Sequence, residues 1–178
     1  MSPPDSELIG RALQQDDRAA FGELVQRHQD AVRRFLRHLT RGDEAQADDL
    51  AQDTFVQAYQ SLDRFRRESS FSTWLLGIAH NHFRNARRRQ RETPLAESDE
   101  PTEPATAPRS VALQADLTAA IAQLDADEQT ALFLFYQEDL SHPEIAAVTG
   151  WPLGTVKTHL ARAKENLRPL LSDWDPRP

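Results

Sequence analysis

Apolar side chains recur every three to four residues along most of the chain, and no segment alternates with a period of two, so the pattern predicts helices and no strands. A short leading helix is expected around Leu8, Ile9, Ala12 and Leu13. Phe21, Leu24, Val25, His28, Val32, Phe35, Leu36 and Leu39 form one amphipathic stripe, and Leu50, Ala51, Thr54, Ala58 and Leu62 form a second. Phe71, Trp74, Leu75, Ile78, Ala79, Phe83 and Ala86 form a third. The periodicity then stops. Residues 92–110, ETPLAESDEPTEPATAPRS, are rich in Pro, Glu, Ser and Thr and read as a flexible acidic linker. Helical spacing resumes with Leu113, Leu117, Ile121 and Leu124. Asp125 and Glu128 predict a capping box for the next helix, whose apolar positions include Leu132, Phe133 and Tyr136. The expected architecture is all-α: a helical domain over 1–91, a linker over 92–110 and a second small helical domain over 111–178.

The segment LSHPEIAAVTGWPLGTVKTHLARAKENL has the punctuation of two short helices. Ser141 and Glu144 make a capping box, and Pro143 suits a first helical turn. Gly150 suits a left-handed helix end, and Pro152 permits a new start. Val156, Leu160, Ala163 and Leu167 would line the inner face of the second helix. Thr155, Lys157, Thr158, His159 and Arg162 are the candidate DNA contacts of a helix-turn-helix. The plain alternative is a helical hairpin with a solvated basic face.

Charge sharpens the picture. The net charge of −7 disfavours nucleic acid as a whole-chain property, but it is unevenly distributed. Residues 60–91 carry +6 and residues 141–168 carry +2, in an otherwise acidic chain. In FSTWLLGIAHNHFRNARRRQR, one helix face holds Asn81, Arg84, Asn85 and Arg88 at i, i+3, i+4 and i+7. Guanidinium groups suit phosphates, and amides suit base edges. Trp74 stands at the boundary of that face, where core packing competes with contact to an unstacked base. The preceding loop, DRFRRESS, adds Arg64, Arg66 and Arg67. A third surface is the outward stripe Asp49, Gln52, Asp53, Val56 and Gln60, where a valine among acids and amides is consistent with a docking face. An ordinary acidic surface is the alternative.

Three strings carry a family resemblance: DDLAQDTFVQAY, FSTWLLGIAHNHFRNARRRQR and GWPLGTVKTHLARAK, in that order. Together they resemble the extracytoplasmic-function (ECF) subfamily of bacterial RNA polymerase sigma factors. The resemblance implies that the first grips core RNA polymerase, the second melts and reads the minus-ten promoter element and the third reads the minus-thirty-five element. It also implies promoter DNA as ligand, an anti-sigma protein as a further partner and a linker threading the polymerase. Asn85 is often Asp in that family and His159 often Arg, so base preference does not carry over.

Other classes find little support. There is no cysteine, and so no disulfide, thiolate metal site or thiol nucleophile. His80 and His82 would project ~200° apart on a helix and cannot share a metal ion. No Gly-rich phosphate loop or Ser/His/Asp pattern is found, so neither catalysis nor a cofactor is expected. The opening MSPPDSELIG lacks a signal-peptide pattern, and no run approaches ~20 apolar residues, so a cytoplasmic protein without membrane insertion is expected. The strongest rival is a stand-alone helix-turn-helix regulator. It accounts for the C-terminal segment and leaves the other two surfaces unexplained.

Overall fold

The computed structural model describes residues 3–15, 17–92 and 119–170. These are helical, with no strand among the described residues. The predicted linker beyond Glu92, and Leu113 and Leu117, lie outside them. Helices are α1 (Asp5–Gln15), α2 (Arg18–Leu39), α3 (Glu44–Gln60), α4 (Phe71–Glu92), α5 (Ala126–Tyr136), α6 (His142–Thr149) and α7 (Leu153–Leu170). A short 3-10 turn, Leu62–Arg64, follows α3, and residues 119–122 form a single helical turn before α5.

The N-terminal half packs α1, α2, α3 and α4 around Leu8, Leu24, Phe35, Leu36 and Leu75, all fully buried. The ends of these helices are set locally. Asp17 caps α2 by accepting from the Ala20 N–H (3.1 Å) and binds Arg11 of α1. Asp43 caps α3 by accepting from the Gln46 N–H (2.9 Å). Asp5 ties α1 to α2, taking Arg27 at 3.0 Å and His28 Nε2 at 2.7 Å. The Ser70 hydroxyl accepts from the Thr73 N–H (3.0 Å) where α4 begins.

In the C-terminal half, α6 and α7 make the predicted helix-turn-helix. Gly150 ends α6 at φ +75°, in the left-handed region where a side chain is costly. The Glu144 carboxylate accepts from the Ser141 N–H (2.9 Å) and hydroxyl (2.6 Å), closing the capping box. Those two bonds hold Glu144 below the usual carboxylate range. Val156, Leu160 and Ala163 bury the inner face of α7.

Two expectations about α5 are corrected. Asp125 does cap it, accepting from the Asp127 and Glu128 N–H groups at 2.9 and 2.8 Å. Glu128 does not reach back to complete the box. It is buried and accepts from Asn166 Nδ2 of α7 (3.2 Å). Tyr136, expected inside, is 61% exposed, while Leu134 is fully buried. The run ALFLFY is apolar on every side, so its period does not select a face.

The two helical halves also meet. They are packed together: α4 lies along α6, and α2 touches α5. α4 therefore buries two faces. Leu75, Ala79 and Phe83 belong to the predicted stripe, whereas Thr73 and His80, with half-buried Gly77 between them, mark a second one toward α6.

Candidate nucleic-acid and polymerase interfaces

The α3 stripe is solvent-facing as expected. Asp49, Gln52, Asp53, Val56 and Gln60 are all exposed, and Val56 is 51% exposed. The inner positions Leu50, Ala51, Thr54 and Ala58 are buried, with the Thr54 hydroxyl satisfied by the Leu50 carbonyl (2.7 Å). Beside the stripe runs an open, mainly apolar groove between α2 and α3. Phe21, Val25 and Gln29 line it from α2, and Phe55, Val56 and Tyr59 from α3, with Asp49, Gln52 and Gln60 also contributing. Asp53 stands outside that lining. Tyr59 is 39% exposed and meets Phe21 edge-on at 5.0 Å. Sequence reasoning missed Phe21, Phe55 and Tyr59 as groove residues. The signal was available: Phe55, Val56 and Tyr59 put more apolar surface on α3 than its inward stripe needs.

On α4, Asn81, Arg84, Asn85 and Arg88 are exposed in register along one face, opposite buried Ala79 and Phe83. Arg87 lies over the Phe83 ring at 5.7 Å, and Arg88 has Glu92 at 3.9 Å. Arg89 and Arg91 occupy the last turn, where cations complement the helix dipole. Trp74 is half-buried, packed on Phe65 (5.2 Å) and Phe71 (5.6 Å), so part of its ring remains accessible beside the loop. Arg64 and Arg66 are exposed. Arg67 is exposed too, but its backbone is left-handed (φ +59°) and its guanidinium reaches the Ser6 carbonyl of α1 at 3.5 Å. The loop thus leans on α1.

On α7, Lys157, Thr158 and Arg162 are exposed, and Thr155 is half-buried. The Thr158 hydroxyl donates to the Gly154 carbonyl (2.9 Å). His159 differs from its neighbours. It is half-buried, its ring lies against Trp151 at 4.8 Å, and its Nδ1 is buried without a hydrogen-bond partner. His80 is buried and His82 half-buried, and no cluster of three metal-ligating side chains occurs among the described residues. No helix among the described residues is long and apolar enough to cross a membrane.

Family models for Sigma-70 region 2 and Sigma-70 region 4 match residues 24–93 and 114–167. The ECF RNA polymerase sigma-E factor of Haemophilus influenzae is 36% identical, over 90% of this chain and 92% of its own. The chain belongs to the ECF sigma factors. The ECF RNA polymerase sigma factor SigC of Mycobacterium tuberculosis is 36% identical across 88% of this chain and 84% of its own. Among solved structures, CnrH in complex with the cytosolic domain of CnrY superposes with a TM-score of 0.67 at 31% identity, covering 96% of this chain and 98% of that one. The sigma factor RpoE of Bartonella quintana, solved with the anti-sigma factor NepR, gives 0.64 at 27% identity, covering 88% and 98%. Both matched regions of this sigma factor contain the surfaces described above.

Proposed function

We propose that this sigma factor divides initiation among three surfaces. The α3 stripe and the adjoining groove dock on core RNA polymerase. The Asn/Arg face of α4, with Arg64, Arg66, Arg67 and Trp74 beside it, takes the melted minus-ten element. Thr155, Lys157, Thr158, His159 and Arg162 meet the minus-thirty-five element as duplex. The functional division follows residues 1–91, 92–110 and 111–178. An anti-sigma protein is a further expected partner, because the RpoE relative was solved with one. The protein works in the cytoplasm, and the polymerase performs the chemistry.

One observation carries the reading. α4 exposes two amides and two guanidinium groups in register while burying the opposite face. A regulator that binds duplex DNA through α7 alone has no use for that arrangement. Amides at base-edge reach, flanked by phosphate-binding cations, suit strands that have been opened. The α3 groove adds an open, mainly apolar docking face on the same half.

The test is selection of genomic DNA fragments by the factor alone and by the factor with core polymerase. Specific recovery is expected only with core present. Equal recovery of the same fragments by the free factor would favour the stand-alone regulator.

A further inference from the structure

Helix α1 lies ahead of the matched region 2, which begins at residue 24, yet its first turn leans on the loop that leads into α4. That loop, residues 65–70, carries Arg66 and Arg67 and brings the chain to Trp74. It has little of its own to hold its shape. Among the described residues, residues 66–69 make no backbone-to-backbone hydrogen bond. Arg67 also sits at φ +59°, a left-handed backbone that an arginine adopts only when its surroundings require it. The posture of the loop is therefore set from outside.

Two lines of contact run to it from α1. In the first, Asp5 Oδ2 meets His28 Nε2 at 2.7 Å, and the His28 ring lies edge-on to Phe71 at 5.3 Å. Phe71 is buried at the start of α4 and touches both Phe65 (5.5 Å) and Trp74 (5.6 Å). Phe65 in turn lies tilted against Trp74 at 5.2 Å. In the second line, the Arg67 guanidinium donates to the Ser6 carbonyl at 3.5 Å. Between the two lies an open crevice of about 180 Å³, with Ile9 on the α1 side and Phe65, Ser69 and Phe71 on the other. The loop thus rests on α1 through a few contacts at the crevice rim, not through a filled core, and removal of one of them is felt.

Asp5 anchors the first line. Its Oδ1 takes Arg27 Nη1 at 3.0 Å while Oδ2 takes His28, so one carboxylate fixes α1 against α2 and orients the imidazole. Arg27 also pairs with Glu23 and keeps a partner without Asp5. His28 has no other carboxylate partner among the described residues. Removing the Asp5 carboxylate therefore frees the imidazole, and with it the ring that supports Phe71.

We propose that Asp5 is a positioning residue for the minus-ten reader: through His28 and Phe71 it fixes the pose of Trp74 and of the 65–70 loop, which makes α1 a working part of that reader. Asp5 itself touches no nucleotide. The inference rests on the assignment of Trp74 and the loop arginines to the melted element. An aromatic face that is already fixed loses less freedom when a base stacks on it, so the benefit of Asp5 is realised through the ring it steadies.

The test is a double-variant cycle in the full-length factor bound to core polymerase, read as open-complex formation on a promoter recovered by core-dependent selection. Stacking of one base on an aromatic is worth about tenfold by alanine substitution, so Trp74→Ala should cost about that much. Asp5→Ala should cost about three- to fivefold alone and less than about twofold in the Trp74→Ala background, because it acts through that ring. His28→Ala, which leaves the α1 sequence intact, should reproduce Asp5→Ala. Affinity for core polymerase should stay at the wild-type level in every variant. A second readout separates positioning from loss of fold. The chain has three tryptophans. With 5-fluorotryptophan incorporated, the Trp74 fluorine resonance, assigned by its loss in Trp74→Ala, should shift or broaden in free Asp5→Ala while that of Trp151 stays in place. An equal loss in both backgrounds, or an unmoved Trp74 resonance in Asp5→Ala, would overturn the proposal. No loss in Trp74→Ala would instead reject the assignment of that ring to the melted element, and the proposal with it. Failure of the sigma-factor reading would show as no complex with core polymerase, while the fluorine spectrum of the free protein still decides whether Asp5 sets the ring.

Discussion

The His38 ring of α2 lies stacked on the Phe133 ring of α5, with centroids 4.5 Å apart and planes inclined by 18°. The two residues are far apart in the chain, and the contact joins the half that carries α4 to the half that carries α7, the two proposed promoter readers. An aromatic pair of this kind contributes about 0.5–1.5 kcal/mol beyond the area it buries. Phe133→Ala should therefore lower the thermal midpoint. It should also raise amide exchange in α6 more than in α3, because α6 packs on α4 across the boundary. Uniform change in exchange across both helices would show that the ring contact does not couple the halves.

Acid should act on the same boundary. With His38 and His80 both held at about 4 in the packed form, the thermal midpoint of wild type should fall as pH drops from 7 through 5. His80→Phe should reduce that dependence by about half, since it removes one of the two buried rings. Parallel curves for the two proteins would place the acid response elsewhere.

Docking should depend on the α3 stripe. Asp49→Lys with Asp53→Lys should weaken binding to core polymerase while changing stability by no more than about 0.5 kcal/mol, because both side chains are exposed. Val56→Asp should weaken it further by putting charge on the apolar edge of the groove. Titration of labelled factor with core polymerase measures all three. Wild-type affinity in the double variant would contradict the docking assignment.

Much of this was legible in the residue pattern. The α3 stripe was readable because its inward positions, Leu50, Ala51, Thr54 and Ala58, are apolar or small and its outward ones are mostly polar. The amide and guanidinium register on α4 was readable for the same reason. What escaped was non-local. Glu128 looks like a local capping residue, yet its carboxylate is taken by Asn166 on another helix. Phe133 and Tyr136 both look like core residues in an all-apolar run, and only tertiary packing exposes Tyr136 and turns Phe133 onto Phe35 and His38. In the sequence, His80 and His82 stand out only as a pair two residues apart, a spacing that excludes a shared metal ion. No local pattern indicates that His80 would face Trp151.

Base reading on α4 should be separable from docking. Asn81→Ala and Asn85→Ala should each reduce open-complex formation by about tenfold, since a well-placed base contact is worth ~1–3 kcal/mol, and should leave core binding intact. Permanganate footprinting of the melted strand reports it. Unchanged footprints in both variants would return these amides to an ordinary solvated face.

On α7, exposed Arg162 and Lys157 should behave differently. Arg162→Ala should change the preferred upstream sequence. Lys157→Ala should weaken all sequences alike and lower the salt slope by ~1. Selection from a randomised upstream element, repeated at two salt concentrations, distinguishes them. An identical consensus for wild type and Arg162→Ala would reject the base-contact role.

This sigma factor turns core polymerase into a promoter-specific enzyme. The most direct measurement is transcription of genomic DNA by purified core polymerase, with and without the factor, followed by sequencing of RNA 5′ ends. A set of starts should appear only with the factor, preceded by two shared blocks about two helical turns apart, each turn ~34 Å. The same starts with and without the factor, or factor-dependent starts that share only one block, would contradict that role.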